Sequence, residues 1–219
     1  MKIDQAYRYI KRQIIDGVWK PETVINVNEV TEYLKMSRTP VHKALTKLSE
    51  EGFLSIIPQV GVFVKRPETE EVLERLLVCA NLDALLTEHA AKKITDQELS
   101  QLFQTLTKMD NLEISEEEYA NLNIEFHSII YRAAKLSFTF NLANQLWDYL
   151  NYVGNPEMLF TRDRRKQSQA EHWLIYYCLK EGDTKLAKKL TEKHLMRIAE
   201  SVSVKYQRMD STEEVVNES

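Results

Sequence analysis

Apolar positions return at helical spacing over most of the chain. Residues 4–16 place Ala6, Tyr7, Ile10, Ile14 and Ile15 on one stripe that stops at Gly17, which predicts a first helix. A shorter helix follows from about Asn28, read as its cap, through Val30 and Leu34, and Lys35-Met36 turns the chain into Ser37, read as the cap of a third helix. In that helix Val41, Ala44, Leu45 and Leu48 obey the i, i+3, i+4, i+7 rule. The period then changes. Phe53-Leu54-Ser55-Ile56-Ile57 and Val62-Phe63-Val64-Lys65-Arg66 are β-branched and aromatic runs about a Pro58-Gln59-Val60-Gly61 turn, the pattern of a hairpin.

From Glu70 onward the helical period resumes in six segments, roughly 70–93, 95–110, 115–134, 138–152, 157–181 and 183–206. The expected fold is mainly α: a winged helix-turn-helix with an α/β wing over residues 1–66, a linker at 67–69, and an all-α bundle of six to seven helices over 70–207. Residues 208–219 are acidic and lack a packing pattern, so they are expected to form a disordered tail.

Composition sharpens the division. Most of the five glycines and five prolines lie before Pro67, which leaves the rear nearly free of helix breakers. Residues 1–66 hold 11 Lys/Arg against 7 Asp/Glu, and residues 67–219 hold 18 against 26, so the positive front suits a polyanion and the negative rear does not. The first residues carry no apolar signal core, and no stretch approaches the roughly 18 apolar residues of a membrane span, so a cytoplasmic protein with no membrane partner is expected. Cys79 and Cys178 lie far apart, without a nearby second thiol, which argues against a disulfide framework or a paired-cysteine zinc knuckle.

With the apolar stripe of the third helix turned inward, Arg38, Thr39, His42, Lys43 and Thr46 face outward, and none of them is an acid. They begin where a recognition helix meets base edges in the major groove, and Arg38 can donate two prongs to guanine O6 and N7. An ordinary solvated helix face would carry the same charges. The hairpin directly after the helix favours the DNA reading, as the wing of a winged helix in which Gly61 lets the backbone approach a groove or a phosphate closely. Ser37 and Lys65 complete the candidate DNA-contacting set.

Ser37-Arg38-Thr39-Pro40-Val41-His42-Lys43-Ala44-Leu45, then Leu48, Glu51-Gly52-Phe53-Leu54, Pro58 and Gly61-Val62-Phe63-Val64, resembles the signature of GntR-type transcriptional regulators over residues 4–66. The chain departs from it at His42-Lys43, where the family usually carries Arg-Glu, and at Pro21-Glu22, where it carries Pro-Gly. The first departure exchanges a fixed bidentate cation for a titratable ring, so the resemblance does not imply the family's operator sequence.

In the rear, Asn123 stands one helical turn before His127, on the same face. Gly182-Asp183 breaks one helix and starts the next, with His172 and His194 each eleven residues from Asp183. At roughly 1.5 Å of rise per residue both rings lie about 15 Å from the turn, level enough to share one ligand. Three imidazoles suit zinc, nickel, iron or copper and leave an open coordination position. A lone buried histidine is more often a hydrogen-bonded core residue, the reading preferred for His89.

Residues 70–206 resemble the FCD-type ligand-sensing domain of the FadR subgroup of these regulators. Many of its members hold a metal with an aspartate and three histidines in the patterns Asp-x-x-Phe-His, Glu-His and a later His. The resemblance implies His127, His172 and His194 as ligands of a divalent transition metal, zinc or nickel first, with Asn123 as a weaker ligand where the aspartate is expected. Members that bind small carboxylates often use an arginine in the first helix of this domain, at about the position of Cys79. A homodimer that binds an inverted-repeat operator, usually to repress, and answers to a small-molecule effector is the implied function. The competing class is a metal-dependent hydrolase with Glu125 or Glu171 as general base, against which stand the missing His-Glu-x-x-His pattern and the attached DNA reader. A third is an architectural protein whose histidines only pack.

Overall fold

The computed structural model describes residues 2–111, 113–153 and 162–217, with side chains through Val202 apart from Asn151. They form two compact units, the first comprising residues 1–68 and 148–153 and the second beginning at Thr69.

In the front unit α1 (Lys2–Ile15), α2 (Val27–Leu34) and α3 (Arg38–Glu50) precede an antiparallel hairpin of β1 (Leu54–Ile57) and β2 (Gly61–Val64). Ile10, Ile14, Val30, Val41, Ala44, Leu45, Leu48, Phe53 and Val64 fill its core. The hairpin pairs Leu54 with Val64 and Ile57 with Gly61, and Gln59 takes the left-handed backbone at its tip, with φ 62°. The N-cap of α2 differs from expectation. Asn26 rather than Asn28 accepts from the backbone N–H groups of Asn28 and Glu29, at 3.1 and 3.5 Å, because its extended backbone aims Oδ1 at the two free donors. Lys35, left-handed at φ 49°, ends α2 and makes the turn into α3. Ser37 holds the cap position of α3 but makes no side-chain cap bond.

Lys11 is buried on α1, where the stripe alone gives no reason for a charge. Its ammonium donates to Asp148 Oδ2 at 2.7 Å and to the Tyr7 hydroxyl at 2.8 Å, lies 3.4 Å from Glu51 Oε2, and sits over the Phe53 ring. Burial alone would lower its pKa, but Asp148 and Tyr7 raise it above the usual lysine value. Lys11→Ala should therefore cost about 2–3 kcal/mol, less than the loss of a fully buried pair because Asp148 is half exposed. Urea unfolding followed by Phe and Tyr signals checks this, and Lys11→Met should recover part of the loss by keeping the aliphatic stem.

The rear unit contains α4 (Thr69–Ala90), α5 (Asp96–Met109), α6 (Glu116–Ala134), α7 (Ser137–Val153, its last turn in the front unit), α8 (Arg162–Glu181) and α9 (Thr184–Asn217). Thr95 and Glu98 form a reciprocal capping box, Ser115 caps α6, and Asp183 accepts from Leu186 N after Gly182 turns the chain at φ 69°. Leu86, Leu102, Leu106, Met109, Phe126, Ile129, Ile130, Ile175 and Leu179 form a single core. The start of the segment expected at 157–181 lies outside the described residues. Two expectations are corrected. The expected bundle range takes in 148–153, which pack in the front unit because Asp148, Tyr149 and Tyr152 contact Lys11, Phe53 and the Lys65 carbonyl. The tail expected to be disordered from 208 continues α9 to Asn217, since no glycine or proline interrupts the backbone ladder after Asp183. No described helix is long and apolar enough to cross a membrane.

Candidate functional site

In the front unit Ser37, Arg38, Thr39, His42, Lys43 and Thr46 are all exposed on one face of α3, opposite buried Val41, Ala44, Leu45 and Leu48. Arg38 Nη2 donates to Asn28 Oδ1 at 2.7 Å, so the residue first read as a cap instead steadies the guanidinium and leaves its other donors free to turn outward. Gly61 opens β2 beside the wing tip, and a Cβ there would meet the Phe63 ring at 3.6 Å. Lys65 stands at the far end of β2, its backbone bonded to Phe53 and Tyr152, so it does not join the α3 and wing-tip set. Ile56, Ile57 and Val60 make the outer wing apolar rather than basic.

In the rear unit α6, α8 and α9 bring His127, His172 and His194 together, 6%, 0% and 1% exposed, with one nitrogen of each within 4.8 Å of the others. His172 Nε2 and His194 Nε2 are 3.3 Å apart, roughly the edge of a tetrahedron built on 2.0–2.1 Å zinc–nitrogen bonds. His127 Nε2 is buried without a hydrogen-bond partner, an orphan that a metal ion would satisfy. His194 Nδ1 lies 2.5 Å from Glu171 Oε2, and Glu171 is held in turn by Arg197 and, at 3.9 Å, by Arg164. That is a histidine oriented by a carboxylate on its outer nitrogen. Burial pushes His127 down to about 3 and His172 well below the ordinary imidazole value, and lowers His194 against the pull of Glu171. All three shifts favour the neutral imidazole, the form that binds metal. Burial alone would raise Glu171, but His194 and Arg197 hold it below the usual carboxylate value.

Asn123 is buried one turn before His127. Glu125 is exposed and away from the cluster, and Glu171 is already committed to His194 and Arg197, so neither offers a free general base. His89 is half-buried and outside the cluster. Asp83 of α4 was not singled out by motif. It is fully buried, accepts long bonds from Trp147 Nε1 at 3.3–3.4 Å, an N–H that donates more closely to the Tyr131 hydroxyl at 2.9 Å, and lies 3.9 Å from His127 Nδ1. Burial raises its pKa to about 7. Its signal was an acid at a stripe position between Cys79 and Thr87, all three buried.

Residues 2–64 match the family of bacterial regulatory proteins of the gntR type, and residues 74–197 match the FCD domain. The chain belongs to the GntR family of transcriptional regulators, with an FCD ligand-binding domain. The HTH-type transcriptional repressor RspR of Escherichia coli is 25% identical over 209 residues, covering 90% of this chain and 87% of that protein. The Nta operon transcriptional regulator of Aminobacter aminovorans is 34% identical over 110 residues, covering 50% of this chain and 52% of its own length. Among solved structures, E. coli McbR/YncC shares the fold at a TM-score of 0.73 and 23% identity, over 94% of this chain and 99% of the other.

Proposed function

We propose that this GntR regulator is a cytoplasmic homodimeric repressor. Its α3 helix and wing tip read an inverted-repeat operator, with Arg38, Thr39, His42 and Lys43 on base edges, Ser37 on the flanking phosphate and Gly61 at the groove. Its FCD domain binds a small effector beside a zinc or nickel ion held by His127, His172 and His194, with Asn123 as a weaker fourth donor. The carrying observation is the convergence of three buried imidazoles, with His127 Nε2 and His172 Nδ1 both lacking a hydrogen-bond partner, inside the domain that senses ligand in this family.

The metal would present an electrophilic site to an oxygen or nitrogen of the effector. The protein's own part is to hold three lone pairs on one point, with Glu171 fixing the tautomer of His194. An effector changes operator occupancy only through its different affinity for the DNA-competent and DNA-incompetent states. The acidic surroundings of the cluster are engaged in orienting ligands, so the hydrolase reading gains nothing from the geometry.

Footprinting on the DNA upstream of the gene tests the proposal. Two protected half-sites related by inversion, centred roughly 10 base pairs or a multiple apart, are expected for a two-fold dimer. A single unpaired half-site, or protection without sequence preference, would contradict it.

A further inference from the structure

Three neutral imidazoles and the amide of Asn123 bring no negative charge to a divalent ion. One outer carboxylate, Glu171, already serves His194. A second is close to His127. Asp83 is 0% exposed, and its Oδ2 lies 3.9 Å from His127 Nδ1, on the side of that ring away from the orphaned Nε2. Its hydrogen-bond partner among the described residues is the Trp147 indole, which also donates to the Tyr131 hydroxyl at 2.9 Å, and both groups are neutral. Those two rings also flank His127, each with its centroid 6.0 Å from the imidazole. A fully buried carboxylate served only by neutral donors is costly as the anion and is held in that form by a cation nearby. No lysine or arginine is among those partners, and an ion on the far nitrogen of His127, whose Nδ1 lies 3.9 Å from the carboxylate, would offset the charge.

We propose that Asp83 is the outer carboxylate of the three-histidine centre, orienting His127 through Nδ1 and supplying the charge that Asn123 does not. The proposal rests on the metal reading above. With an ion on Nε2 the remaining proton of His127 sits on Nδ1 and faces the carboxylate, and a movement of about 1 Å closes the gap to a charge-assisted hydrogen bond. Asp83 then does for His127 what Glu171 does for His194. The first helix of the domain thereby contributes to a site whose direct ligands come from α6, α8 and α9. Trp147 and Tyr131 are the clamps that stop the carboxylate from rotating away.

The test uses the full chain, with zinc affinity measured by competition against a chromophoric chelator and cobalt(II) absorption as a second readout. Asp83→Asn keeps the shape and removes the charge. It should weaken zinc by about ten- to hundred-fold and shift the cobalt ligand-field bands, while stability in the presence of EDTA stays equal or rises. Asn123→Asp in that background should restore affinity by placing a carboxylate directly in the ligand set, a rescue that a purely structural role for Asp83 would not produce. If Asp83→Asn fails to fold, Trp147→Phe tests the same point, since it releases the carboxylate without removing it and should weaken zinc and alter the cobalt bands. Parent and variants binding zinc alike with identical cobalt spectra would overturn the role of Asp83 while leaving the metal site standing. A parent that binds neither zinc nor cobalt would overturn both.

Discussion

Replacing His172 by alanine should erase the thermal stabilisation that zinc or nickel gives the parent protein. His172 is fully buried, faces His194 at 3.3 Å and is packed against Phe126, with ring centroids 4.6 Å apart. An ion at a hundred times its dissociation constant adds about 2.7 kcal/mol to the native state. For a chain of this size that corresponds to roughly 5–11 °C in Tm. With two imidazoles remaining, the variant lacks the donor count of a three-histidine site. Scanning fluorimetry with zinc, nickel and EDTA reads the effect. The EDTA baseline separates it from the cavity left by the ring, which lowers Tm in every buffer. A variant that still gains the parent's full shift would place the ion elsewhere.

Arg38→Ala should cost operator binding more than any other single change on α3. A bidentate guanidinium–guanine contact is worth about 1–3 kcal/mol, and a two-fold dimer loses it twice, so affinity should fall between roughly thirty-fold and twenty-thousand-fold. The loss should concentrate on the cognate sequence, leaving nonspecific binding little changed. Lys43→Ala makes the contrast if its ammonium contacts phosphate, because all duplexes should then weaken together and the salt slope should shrink by about one per subunit. Asn28 complicates the comparison usefully. It holds Arg38 at 2.7 Å in the free protein, so Asn28→Ala should weaken binding less than Arg38→Ala, through loss of preorganisation alone.

The helix α3 was legible in the sequence because its inward stripe, Val41, Ala44, Leu45 and Leu48, is short-range information. The same holds for the registry of His172 and His194, since equal helical rise on both sides of Gly182-Asp183 fixes their heights without knowledge of anything else. The cap of α2 was not legible: Asn26 and Asn28 both have the right side chain, and only backbone geometry chooses between them. Lys65 looked like a wing cation because it follows the hairpin strand, but the direction of β2 carries it away from the tip. Lys11 and Asp83 were hidden for a different reason. Each is a charge explained by partners remote in sequence, Asp148 at a separation of 137 residues and Trp147 at 64, and local periodicity carries no information at that range. The continuation of α9 to Asn217 shows the limit of composition, since an acidic segment with no breaker can extend a helix already nucleated by the packed turns before it.

The most direct test is equilibrium binding of the full chain to a fluorescent duplex carrying the footprinted site, alongside a scrambled duplex of equal length at one stated salt concentration. A sequence-specific regulator should prefer its site by roughly a thousand-fold or more, and Arg38→Ala should remove most of that preference. Equal affinity for both duplexes, unchanged by Arg38→Ala, would contradict the assignment of α3 as the reader.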